Sequence, residues 1–213
     1  KFLKNSHTKK PVTFPFHLRV PDWCKKGTIK VNGQVVKETA GNTIVKINRQ
    51  WKSGDVVELL LPMHIFKNRW YENSMSVERG PITYALKIGE DAKRIENTKD
   101  PLEYGTHYTE VRPTTPWNYG LYDMSVEKLN EHFKIEMTGK STNYPWNLEN
   151  APIQIKTKAK RIPSWKLYNE MAGPIPYSHI YGLETEREEE DITLVPYGCT
   201  TLRISQFPLV GRK

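Results

Sequence analysis

The chain has 213 residues and a formal net charge of +8. That length suits one large all-β domain or two domains of about 100 residues each. With 37% hydrophobic residues and a mean hydropathy of −0.66 it can build a core, but no stretch reaches the ~20 apolar residues of a membrane helix.

Lys1 to Asn5 reads as a strand, without the charged-then-apolar pattern of a signal peptide, which suggests a start inside a longer protein. From Phe14 to Met63 the chain is a series of short strands. Phe14, Phe16, Leu18 and Val20 alternate with Pro15, His17, Arg19 and Pro21, the period of a half-buried strand. Ile29 and Val31 alternate into Asn32-Gly33, a type I′ hairpin signal, because both central positions of that turn need φ > 0. Ile44, Val45 and Ile47 form the next strand. Trp51 then leads through Lys52-Ser53-Gly54-Asp55 into the apolar run Val56 to Leu61.

Ser74 to Ile88 predicts two strands around Gly80-Pro81, a step where glycine relaxes the backbone and proline fixes φ. Between Glu90 and Pro116 the pattern weakens under charges, Pro101, Gly105, Pro113 and Pro116. The boundary between two antiparallel β-sandwiches is therefore expected near residue 105, giving domains 1–105 and 106–213. Trp117 to Leu121 reads as a strand. Asp123 to Phe133 reads as a short helix, with Val126, Leu129 and Phe133 on one side, or as a loop. Ile153 to Ile162 is a strand in which Lys156, Lys158 and Lys160 alternate. The lysines are read as the solvated face of an outer strand, guarding an edge, against a nucleic-acid or anionic-glycan patch. Glu184 to Asp191 is an acidic loop. Ile192 to Val195 and Thr201 to Ile204 are the closing strands.

Chemistry is sparse. There is no GxSxG elbow and no phosphate-binding glycine loop. The six histidines lie singly, without metal-ligand spacing, so no metal or cofactor is expected. Cys24 and Cys199 show no CxxC pattern and are either paired with each other or free. No carboxylate pair is selected by spacing alone. Aromatics are the group with binding potential. Trp117, Trp146, Trp165 and Tyr177 are the candidate carbohydrate-binding residues, along with Tyr119, Tyr144, Tyr168 and Tyr181 nearby. The competing reading is packing at a domain interface.

Several motifs then carry a resemblance. Phe14-Pro15-Phe16-His17-Leu18-Arg19-Val20-Pro21-Asp22-Trp23 resembles an F-P-L-x-L-R-I-P-x-W strand, and Val31-Asn32-Gly33 a V-N-G hairpin. Trp51 to Leu59 with Leu61-Pro62-Met63 resembles W-x-x-G-D-x-V-x-L-x-L-P-M. Val77-Glu78-Arg79-Gly80-Pro81-Ile82-Thr83-Tyr84 resembles x-Q-R-G-P-L-V-Y, with Glu78 in place of Gln. Leu194-Val195-Pro196-Tyr197-Gly198 with Leu202-Arg203-Ile204 resembles the closing L-x-P-Y-G-x-T-x-L-R-I. In this order the motifs are similar to the C-terminal β-sandwich region of the β-L-arabinofuranosidase-like glycoside hydrolases, family 127 and its relatives (the former DUF1680 group).

The resemblance implies a chain that is not catalytic alone. In that family an upstream (α/α)6 barrel holds a nucleophilic cysteine, a glutamate acid/base and a zinc bound by cysteines and a glutamate. The implied partners are that barrel and plant-type oligosaccharides, with no nucleic acid and no membrane. The implied role is accessory support of the barrel, and the alternative is an autonomous carbohydrate-binding module. A parent of this kind suits the periplasm or secretion.

Overall fold

The computed structural model describes residues 10–125, 128–139, 143–179 and 183–211. The expected strand Lys1 to Asn5, Val126 of the expected helix, and Tyr181 lie outside them. The fold is all-β and forms two compact units, residues 1–64 and 65–213. Residue 105, the expected boundary, lies inside the second unit. It sits at the turn between two paired strands, where Gly105 takes φ +79 after the four-residue helix Pro101–Tyr104. The breakers there make a hairpin end, not a linker, because the strands on either side zip together.

The first unit has two small sheets. Strand β1 (Val12–Val20) pairs antiparallel with a later strand (Thr43–Trp51), bringing Phe16 opposite Ile47 and Leu18 opposite Val45. Strands β2 (Gly27–Val31) and β3 (Gln34–Thr39) make the hairpin, with Asn32 at φ +51 and Gly33 at φ +80 as the I′ turn requires. Thr43–Trp51 is β4, and β5 (Val57–Leu60) pairs with the other edge of β2. The turn before β5 is clipped to the hairpin by side chains. The Asn32 amide donates to the Asp55 carboxylate at 2.9 Å and accepts from the Val56 N–H at 2.9 Å. The Asn32 bond and the Lys52 N–H hold the Asp55 carboxyl below its usual range. Trp51 is the anchor of the β1–β4 sheet. Its ring lies 5.8 Å from Phe14 and 5.9 Å from Phe16, and its indole N–H donates to the Phe14 carbonyl at 2.9 Å.

The second unit starts with β6 (Ile65–Arg69), β7 (Met75–Arg79) and β8 (Ile82–Leu86), an antiparallel meander. Strands β9 (Glu90–Glu96) and β10 (His107–Pro113) form the separate hairpin around Gly105. Then come β11 (Tyr119–Tyr122), β12 (Lys134–Met137) and β13 (Ile153–Arg161), a minor hairpin of β14 (Leu167–Tyr168) and β15 (Met171–Ala172), β16 (Glu190–Pro196) and β17 (Leu209–Val210). The main sheet runs β17-β11-β13-β16-β8-β7-β6, with β12 alongside β13. Only β11–β17 is parallel among its pairs. Its core includes Met75, Tyr84, Leu86, Ile155 and Leu194 from the strands, with Phe133 and Phe207 from the segments between them.

Three expectations change here. The lysine-bearing β13 is central, flanked by β11, β12 and β16, so its lysines guard no edge. Lys156 pairs with Glu136 and Lys158 with Asp191 across the neighbouring strands, while Lys160 is buried. The acidic run is partly structural: Glu189 accepts from the Tyr122 hydroxyl and Glu190 from the Tyr119 hydroxyl, at 2.6 and 2.5 Å. Burial, followed by these carboxylates, pushes both phenols well above their ordinary value. Thr201 to Ile204 is not a strand; the chain closes with β17 instead. Of the expected helix, Leu129–His132 forms, and Leu129 and Phe133 are buried.

Close packing makes Gly120 on β11 a test of the fold. A Cβ there would collide with Val210 and would meet Ile162 at 2.9 Å and the Pro208 carbonyl at 3.0 Å. Gly120→Ala is expected to cost about 1–3 kcal/mol by overpacking, read as a lower urea midpoint at unchanged slope.

Candidate functional site

The second unit presents an open groove of about 350 Å³. It is lined by Pro81, Ile82, Thr83, Trp146, Pro196, Tyr197 and Gly198. Two motifs far apart in sequence meet there because β8 and β16 are antiparallel neighbours, with Tyr84 opposite Pro196. The Gly80-Pro81 turn precedes β8, and Tyr197-Gly198-Cys199 turns out of β16.

Trp146 comes from the loop before β13 and is 49% exposed. The loop is tied down on both sides of it. Cys199 Sγ contacts the Pro145 carbonyl at 3.5 Å, the Asn150 N–H donates to the Asn147 side chain at 2.8 Å, and the Thr138 hydroxyl donates to the Ala151 carbonyl at 2.9 Å. Leu148 and Ala151 pack against Val195 and Cys199. Tyr197 is also exposed, yet its ring is covered on one side by the Arg203 guanidinium at 4.8 Å. Arg203 is itself held by an Nε–H bond to the Thr200 carbonyl at 3.0 Å.

A second, more enclosed cavity of about 270 Å³ lies under the β14–β15 hairpin. Val111, Trp117, Leu167 and Met171 give it mainly apolar walls, and Glu170 and Arg203 are its charged lining residues. Glu170 stands at φ +63 in the hairpin turn and pairs with Arg112 at 2.6 Å. Arg112 also pairs with Glu110 at 2.7 Å.

The four candidate residues therefore separate. Trp146 lines the open groove and Trp117 the enclosed cavity. Tyr177 is exposed and lines neither. Trp165 is 5% exposed; its ring meets Trp117 edge-on at 5.1 Å and its N–H donates to the Gly173 carbonyl at 2.9 Å. Little of this ring is exposed, and the part that is lines a further open pocket with Gly173 and Ile175. Reading by composition missed Tyr197, Thr83 and the two prolines. The nearest signal was the Pro-Tyr-Gly turn itself, in which Gly198 lies against the Trp146 ring, 3.5 Å from where a Cβ would sit.

Neither cysteine has the setting of a nucleophile. Both are free and buried, and burial pushes the Cys199 thiol up, away from the reactive thiolate. Among the described residues no three His, Cys, Asp or Glu side chains gather as a metal site. The side chains described here thus do not fit the cysteine-and-glutamate zinc set.

Residues 3–63, which fall in the first unit, match the family model of the β-L-arabinofuranosidase GH127 middle domain. Solved structures share the fold. One described as a glycoside hydrolase is 24% identical with a TM-score of 0.53, covering 93% of this chain and 28% of its own. A GH127 β-L-arabinofuranosidase from Geobacillus stearothermophilus T6 is 20% identical with a TM-score of 0.52, covering 96% and 27%. A GH127 β-arabinofuranosidase is likewise 20% identical with a TM-score of 0.52, covering 95% and 28%. The chain thus spans little more than a quarter of the length of these proteins. No protein of curated function matches it. The chain resembles the β-sandwich region of the GH127-like glycoside hydrolases.

Proposed function

We propose that this chain is the non-catalytic β region of a GH127-type glycoside hydrolase, supporting a catalytic barrel elsewhere in the same protein. Coverage carries the reading: 93–96% of this chain aligns with only 27–28% of each of the three solved chains. The remaining three quarters of such proteins has room for the reacting groups. The local chemistry agrees, since a cysteine nucleophile works as an accessible thiolate and both cysteines here are buried. The zinc of such an enzyme belongs with the barrel. By analogy of architecture, the parent removes terminal arabinose-type residues from plant-derived glycans.

The test is turnover. The purified chain, incubated with aryl α- and β-L-arabinofuranosides, is expected to release no phenol above the uncatalysed rate. Cleavage abolished by a single carboxylate or cysteine substitution in this chain would overturn the reading. A second reading, binding of carbohydrate by the chain itself, is favoured by the exposed Trp146 and Tyr197 rings.

A further inference from the structure

We infer that the Trp146–Tyr197 groove is a binding site for a neutral saccharide. The inference deepens the accessory reading and rests on it for the choice of plant oligosaccharides as the ligand class.

Three observations converge. First, the exposed rings are braced. Tyr197 is backed by Arg203, and Trp146 is carried on a loop fixed by the Pro145, Asn147 and Ala151 contacts. Ordering a flexible aromatic on binding costs free energy, and rings already fixed avoid that cost. Second, among the described residues no charged side chain lines the groove. Arg203, beside the groove, stacks on Tyr197 and donates to the Thr200 carbonyl instead of lining it, which favours a neutral ring over a carboxylated or phosphorylated ligand. Third, the lining combines flat apolar surfaces, two aromatic rings and Pro81 and Pro196, with Thr83 as its polar residue. A sugar ring presents an apolar C–H face and hydroxyl edges, which matches an aromatic platform with a few polar groups beside it. The groove is shallow and open, so it would take one or two residues of a chain that continues on both sides.

The experiment is calorimetry of the whole chain at high protein concentration. The probes are arabino-, xylo- and gluco-oligosaccharides, an oligogalacturonate and a proline-rich peptide. The expected result is saturable binding to one neutral oligosaccharide class. Trp146→Ala and Tyr197→Ala should each weaken it at least about tenfold, and Trp146→Phe should retain most of it. Near-UV circular dichroism and the urea midpoint of Trp146→Ala establish that it is folded, and Trp146→Phe keeps the test open if it is not. No binding to any neutral oligosaccharide overturns the inference. So does binding that survives both alanine variants, or preference for the oligogalacturonate or the peptide. None of these outcomes bears on the turnover assay, which by itself decides the accessory reading.

Discussion

Trp165→Ala is expected to destabilise the second unit by about 3–5 kcal/mol, the usual cost of removing a buried tryptophan. Its ring is packed into the core of that unit and meets Trp117 edge-on at 5.1 Å and 75°, an arrangement that adds to the area it buries. The indole N–H also satisfies the Gly173 carbonyl. The backbone is closely fitted at that point, since a Cβ on Gly173 would fall 2.5 Å from the Lys166 carbonyl. Trp146→Ala is the matched control. It removes the same side chain from a surface site and should change stability by about 0.5 kcal/mol or less. Urea denaturation of the two variants side by side measures the contrast. Equal midpoints would mean that Trp165 is not the core residue its burial indicates.

That contrast marks how far the sequence could be read. Both tryptophans stand in proline-rich, weakly patterned stretches, Tyr144-Pro145-Trp146 and Ile162-Pro163-Ser164-Trp165. Nothing local separates a platform from a core residue. The difference comes from partners at some distance in the chain: Trp117 is 48 residues from Trp165, and Cys199 is 54 from the carbonyl of Pro145. Local patterns did better. The alternation of Phe14 to Val20 and the Asn32-Gly33 turn specify a strand and a hairpin by geometry that neighbouring residues carry themselves, and both appear where they are read. Arginine, glycine and proline before β8, and proline, tyrosine and glycine after β16, were visible as motifs. That they face one groove follows from strand order, and strand order is set by non-local pairing. The same reason misplaced the boundary. Proline, glycine and charge mark a break in a strand equally well at a linker and at a hairpin end, and only the pairing of Glu90–Glu96 with His107–Pro113 distinguishes them.

Glu90 carries the other large expected effect. It opens β9, and one of its carboxylate oxygens accepts three bonds from the segment 200–202: the Thr200 hydroxyl at 2.9 Å, the Thr201 N–H at 2.7 Å and the Leu202 N–H at 2.8 Å. That segment has no strand partner, so Glu90 stands in for a ladder and satisfies its amides. Partial burial by itself would raise the carboxyl, but the bonds from Leu202, Thr200 and Thr201 outweigh it and hold the group below the ordinary 4.5. A carboxyl with a depressed native value stabilises the fold above its unfolded pKa and ceases to do so as pH falls through the native value. Glu90→Ala should therefore cost about 1.5–3 kcal/mol at neutral pH, the range of bonds to a charged acceptor. The cost should shrink as the parent is acidified from the ordinary carboxyl value down through the depressed native one. Glu90→Gln keeps an acceptor oxygen without the charge, and should lose less at neutral pH and show a shallower acid limb than the parent. The measurement is the urea midpoint of all three proteins from pH 7 to pH 3. Parallel curves for parent and Gln variant would show that the charge on Glu90 is not what holds the segment. The effect also reaches the groove, because the Thr200 carbonyl that positions Arg203, and through it the ring of Tyr197, belongs to the segment Glu90 pins.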